Sequence, residues 1–378
     1  MPLESPLYDV ICIGGGLAGL TAALHLSVKG YNSLIIEKNA YPKHKVCGEY
    51  ISNEVLPYLR SLGFDPIKLG AKEITDFELT TINNKQMSSK LPLGGFGMSR
   101  YAMDYELMTL AEVKGATIIQ DAVVDVEYKN DQFTIKTKSN NVYNSRIVIG
   151  AFGKRSNLDV KFQRAFIKKK SPYLAVKLHV SGDYDDHKVA LHNFKGGYCG
   201  VSKVESNAIN LCYITSYKAF KSYKTIDNFQ DEVLFKNDAL KAIFKNSTPQ
   251  FEKPLSISQI SFQTKAPVED HMLMCGDTAG MIHPLCGNGM AMAIRSAQMA
   301  AEQIIDYLQG VKTRAEMEQG YSSNWKQAFT SRLRTGHFIA YLFRQVWLAP
   351  IILRVLVLFP SMLSKLIKRT HGKPMKAL

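Results

Sequence analysis

The stretch Tyr8 to Gly19, YDVICIGGGLAG, decides the fold. Its first six residues are a short apolar, β-branched run of the kind a buried parallel strand needs. A glycine turn follows, and LTAALHLSVKG then reads as a helix that stops near Gly30. YNSLIIEK is a second apolar strand, and Glu37 closes it 18 residues beyond Gly19. Each residue type has a mechanical reason to be there. Gly14 permits the tight turn, Gly16 lets backbone approach a pyrophosphate, and Gly19 lets helix pack on strand. The helix N-terminus then faces the phosphates, while Glu37, with Lys38 beside it, stands where ribose hydroxyls would lie. A lone GxGxxG is weak evidence. Set between a strand and a helix and followed by a second strand ending in an acid, it predicts a dinucleotide-binding βαβ unit.

Outward from that unit, a helix is expected around Ser52 to Leu62, and strands over 74–98 end in the glycine-rich LPLGGFG. YAMDYELMTLAEVKG reads as a helix. From Ala116 to Ile149 short alternating strands separated by polar turns suggest an antiparallel meander. Residues 172–215 give more strands, and 225–247 read as helical. The apolar strand HMLMCG at 271–276 leads into a second glycine-rich turn and a long helix, GMAMAIRSAQMAAEQIIDYL. The fold class expected is α/β: a Rossmann-type domain with a β-meander, an inserted, mainly antiparallel β domain and a C-terminal helical tail. Residues 1–75, 98–160 and 265–310 would form the first unit, 76–97 and 161–264 the second, and 311–378 the tail.

The second glycine-rich turn says which dinucleotide. Cys275-Gly276-Asp277 followed by HPLCGNGM resembles the second FAD motif of the para-hydroxybenzoate hydroxylase superfamily. By that resemblance Gly276 and Asp277 would hold the ribitol chain, and Pro284, Gly287, Asn288 and Gly289 would line the isoalloxazine. A helix N-terminus there favours negative charge at the flavin edge. KVCGEYIS, Lys45 to Ser52, is similar to the Cys-Gly segment of the geranylgeranyl reductase-like branch, which implies that Cys47 and Gly48 lie near flavin and substrate. MSRYAMDYEL is likewise similar to the family's Arg-containing helix start, which implies that Arg100 lies near the FAD ribityl-phosphate, and GGYCGVSKVESN resembles the branch's substrate-side strands. Val124, in the meander, completes the expected FAD contacts. Cys47 and His283, beside Pro284, are the candidate catalytic residues.

One departure bears on the reaction. The hydroxylases of this superfamily carry an Asp-Gly motif after the meander, and here that stretch is GAFGKRS with Ala151 in place of the Asp. A methyl group accepts no hydrogen bond, which argues against NAD(P)H binding in the hydroxylase manner and leaves NAD(P)H or another electron donor as co-substrate. Trp325 and Trp347 do not form the WxWxIP signature of flavin halogenases.

Composition limits the rest. Of 378 residues, 46% are hydrophobic and 21% charged, an ordinary globular balance. Six scattered cysteines form no CxxC pair, and the histidines show no metal-ligand spacing, so neither a redox disulfide nor a metal is expected. The strand starting by Asp9 leaves no room for a signal peptide, so the expected setting is cytoplasmic. The net charge is +14, but no acidic residue follows Glu318 and ten basic ones do. The body is thus nearly neutral, which argues against nucleic-acid binding. Val346 to Leu363 is apolar yet interrupted by Pro350, Arg354 and Pro360, a poor membrane span. That tail is expected either to line a pocket for a long apolar substrate or to meet an anionic membrane surface or acyl carrier protein.

The resemblance implies an FAD-dependent oxidoreductase, read as a reductase of a carbon–carbon double bond in a lipophilic, prenyl or polyene-like substrate. A monooxygenase of aromatic or polyketide-like substrates, and a non-catalytic lipid-binding flavoprotein, are the alternatives.

Overall fold

The structure is a computed structural model that describes residues 6–169, 171–263, 265–344, 355 and 360–378. The chain runs β1 (Leu7–Ile13), α1 (Leu17–Val28), β2 (Ser33–Glu37), β3 (Tyr50–Ser52), α2 (Leu56–Ser61), β4 (Lys72–Thr80), β5 (Gln86–Gly97) and α3 (Arg100–Val113). Next come β6 (Thr117–Gln120), β7 (Val123–Lys129), β8 (Gln132–Thr137), β9 (Val142–Gly150), α4 (Asn157–Lys161), β10 (Tyr173–Ser181), β11 (Lys188–Phe194), β12 (Gly197–Lys203) and β13 (Ile209–Ser216). The helices α5 (Tyr217–Lys221), α6 (Ile226–Glu232) and α7 (Asp238–Lys245) precede short strands β14 (Thr248–Pro249), β15 (Leu255–Ser258), β16 (Val268–Glu269) and β17 (Met272–Met274). The chain then forms α8 (Gly289–Leu308), α9 (Arg314–Arg344) and α10 (Pro360–Thr370).

The first sheet has the order β16-β17-β9-β1-β2-β6, with β7 and β8 as a hairpin extension of β9. β1 lies between β2 and β9, parallel to both, and its Val10, Ile11 and Cys12 are fully buried. The loops after β1 and β9 therefore leave the sheet side by side, at the switch point where doubly wound sheets bind ligands. The N-terminus of α1 opens onto that crevice. β6, expected in an antiparallel meander, instead pairs parallel with β2 and extends the central sheet. The β-branched run TIIQ reports a strand but not its partner. β7, β8 and β9 do form the meander.

The second sheet has the order β14-β10-β13-β12-β11-β4-β5-β3, with β15 on β10. β3 and the start of β4 belong to it, so this sheet begins before residue 76. Period-two alternation gives its two faces different work. In β10 and β13, Val176, Leu178, Ile209 and Leu211 turn to an apolar cluster with Phe229 and Leu234. The intervening residues pair as Ala175 with Ile214, Lys177 with Cys212 and His179 with Asn210. That second face covers the crevice.

Candidate functional site

The glycine loop is built as the sequence predicts. Gly14 has φ +105°, and a Cβ there would lie 2.5 Å from the Ala151 carbonyl oxygen. A Cβ on Gly19 would lie 2.0 Å from the Gly14 oxygen, so neither position accepts a side chain. At Gly16 the space is open, with Arg100 Nη2 3.6 Å and Lys45 Nζ 4.0 Å from where a Cβ would be. Both cations are held by Asp104: Lys45 at 2.8 Å and Arg100 through two contacts of 2.8 and 2.7 Å. Two positive side chains and an uncapped helix N-terminus thus converge on one small volume. That arrangement fits the pyrophosphate of FAD. Glu37 is buried, and its carboxylate accepts from Gly15 N at 2.8 Å and from both Asn39 nitrogens. Lone pairs remain on it for a ribose hydroxyl. Lys38 and Val124 are exposed, and neither lines the adjoining cavity.

That cavity, about 360 Å³, runs from Gly16 past Arg100, Ala151, Gly276 and Asp277 into the second sheet. Asp277 lines it, and burial pushes its carboxyl above the usual range, against the opposing charge of Lys265. Lys265 Nζ donates to the carbonyls of Asp277 at 2.7 Å and Lys154 at 3.1 Å, and burial lowers its own pKa to about 8. Pro284 and Gly287 to Gly289 form the opposite wall, where α8 begins. Gly287 is left-handed at φ +62° and lies against the Tyr50 ring. Asn288 is fully buried, and its Nδ2 donates to the Thr370 carbonyl at 2.7 Å. Its side chain therefore ties α10 to the site.

The Cys47-Gly48 segment lines the same cavity. Asn210 Nδ2 donates to the Cys47 carbonyl at 3.2 Å and the Gly48 carbonyl at 2.9 Å, and Cys47 Sγ lies 3.5 Å from Met290 Sδ. Burial raises the Cys47 thiol pKa, so it carries its proton at neutral pH. His283 is placed differently from expectation. It is not among the residues lining the cavity: its Nδ1 accepts from Leu285 N at 3.3 Å, capping a short turn, and Tyr173, Tyr198 and Phe262 surround the ring. Lys45 and Tyr198 are the site residues that sequence reasoning missed, although both lie inside segments quoted for the resemblance. Tyr198 lines the cavity, and its buried hydroxyl has no hydrogen-bond partner among the described residues.

The far end of the cavity is apolar: Phe77, Leu79, Val189, Leu191, Ile214 and Ile257 from the second sheet, and Leu363, Leu366 and Ile367 from α10. Most of the apolar run expected at 346–363 lies outside the described residues. The part that enters α10 does line the pocket. Trp325 is buried against Gly280, and Trp347 lies outside the described residues.

Comparison with known proteins agrees with this geometry. The chain is 22% identical over 373 residues to conditioned medium factor receptor 1 of Dictyostelium discoideum, covering 86% of this chain and 69% of that one. It is 24% identical over 338 residues to a digeranylgeranylglycerophospholipid reductase of Methanococcus aeolicus, covering 85% and 83%. Among solved structures, the flavin-dependent brominase Bmp2 shares the fold at a TM-score of 0.79 and 18% identity, covering 97% of this chain and 93% of that one. The FAD binding domain profile matches residues 7–330, and the chain belongs to that family of flavin-dependent oxidoreductases.

Proposed function

We propose that the protein is a reductase that saturates a carbon–carbon double bond of a lipophilic, prenyl-like substrate. The observation carrying this reading is the continuity of the cavity. Its polar end is framed by the glycine loop and Asp277, and its other end is walled by aliphatic side chains from both sheet and α10. Relatives named digeranylgeranylglycerophospholipid reductase support the substrate class.

Gly16, Lys45, Arg100, Asp277 and the N-terminus of α8 would hold FAD, which when bound supplies a hydride. Saturating the bond also takes a proton at the second carbon. Tyr198, which lines the cavity, would give it. Burial holds its pKa well above the phenol range, so the proton is present at neutral pH, and no side chain competes for it among the described residues. The aliphatic walls would align an apolar chain. A nicotinamide or another reductant would restore the electrons.

The test is product analysis. Flavin-loaded protein, a reductant and a polyprenyl lipid are incubated without oxygen, and the lipid is weighed by mass spectrometry. Gain of two hydrogens supports the reading. Oxygen-dependent gain of a hydroxyl would replace it with a monooxygenase.

A further inference from the structure

We propose that the outer face of α10, with Arg334, Phe338 and Tyr341 of α9, forms a docking surface for an anionic lipid bilayer. The inference goes beyond the reaction proposed above, and its test needs no turnover.

α10 divides cleanly. Leu363, Leu366, Ile367 and Thr370, at helical spacing, face the cavity. Met362, Lys365, Lys368 and Arg369 are exposed on the other side. One helix thus roofs an apolar pocket and presents cations outward. α9 packs against it, and its Arg334, Phe338 and Tyr341 are exposed at i, i+4 and i+7. Phe338 is 61% exposed, Tyr341 52% and Met362 47%. Aromatic rings beside Lys and Arg are the residue types that settle at a headgroup boundary.

Charge chooses the occupant. No acidic residue follows Glu318, so the cations of both helices act unopposed by their own segment, and their complement is an anionic surface. An acidic carrier protein would answer the charge but not the exposed rings and Met362. Among the described residues no helix is long and apolar enough to cross a membrane. Docked there, α10 would stand between the bilayer and the pocket.

The test is co-sedimentation of the flavin-loaded full chain with vesicles of phosphatidylcholine alone or mixed with phosphatidylglycerol. The expected result is about tenfold more binding to the anionic vesicles, falling as salt rises. Lys365→Glu/Lys368→Glu/Arg369→Glu should abolish that preference. Phe338→Ser/Tyr341→Ser should weaken binding with the charge intact. Both variants should keep wild-type flavin content, which excludes misfolding. Equal binding to both vesicle types, or no loss in the charge variant, would overturn the proposal. So would failure to bind vesicles in a chain that dimerises through this face or is retained by an acidic acyl carrier protein.

Discussion

Glu49 and His179, 130 residues apart, meet in the interior with Glu49 Oε2 2.7 Å from His179 Nε2. Lys177 donates to the other oxygen of the same carboxylate, as does the backbone N–H of Arg100 at 2.7 Å. Glu49 and Lys177 are both fully buried. The residue itself is left-handed, at φ 54°. This cluster, together with Asn210, fastens the Cys47-Gly48 loop of the first unit onto the second sheet.

Removing the charge on Glu49 leaves Lys177 buried without its counter-ion. Glu49→Gln should lower unfolding free energy by about 3 kcal/mol, measured in urea, while exposed Glu112→Gln should leave it unchanged. The pH dependence follows from the same cluster. Burial alone would raise the Glu49 pKa, but the His179 hydrogen bond and the Lys177 charge outweigh it and the net shift is downward. The unfolded chain therefore takes up this proton first as pH falls. The contribution is complete above the ordinary carboxylate range, about pH 4.3, and is lost as pH drops through the lower folded value. The acid-side slope of stability should be shallower in Glu49→Gln than in wild type.

The pyrophosphate site is tested at Gly16. Gly16→Val would project methyl groups toward Arg100 and Lys45 into the space left open for phosphate. Flavin content after desalting should fall at least tenfold, and Asp277→Ala should also weaken retention. Full flavin content in both variants would remove the assignment of these residues.

Tyr198→Phe separates binding from proton delivery. The ring stays, so flavin content and substrate KM should change little. The rate of double-bond saturation should fall by about 10²–10⁴-fold, the range of general acid catalysis. An unchanged rate would exclude Tyr198 as the donor.

The C-terminal strap holds the roof of the cavity in place. Met375 is 2% exposed and enters the main core, and its N–H donates to the Glu54 carbonyl at 2.7 Å. Met375→Asp should release residues beyond α10, so that trypsin cleaves near Arg369 and Lys373 faster. The core flavin unit should stay folded, as judged by retained flavin absorbance. Cleavage at the wild-type rate would show that Met375 does not anchor the strap.

Much of this architecture is local in sequence and so legible there. The βαβ turn, Glu37, the Asp277 strand and α8 each announce themselves by periodicity and glycine placement within about 30 residues. What escaped reading depends on partners distant in the chain. β6 looks like any short strand until its parallel pairing with β2 is seen. Glu49, Lys177, His179 and Asn210 carry no common motif, because two strands and a loop bring them together. Lys45 joins the phosphate end only through Asp104 on α3. His283 stands beside Pro284 in the sequence; in the fold its ring nitrogen accepts from Leu285 N, and the neighbouring strand brings Tyr198 to the cavity. In α10 the sequence showed apolar residues and cations together. The helix sorts them onto opposite faces.

The most direct test of the reductase reading is a single turnover without oxygen. The bound flavin is reduced until its band near ~450 nm is bleached, excess reductant is removed, and a polyprenyl lipid is added. The expected result is return of the band in step with formation of lipid carrying two more hydrogens. A band that stays bleached until oxygen is admitted, with the lipid unchanged or hydroxylated, would contradict it.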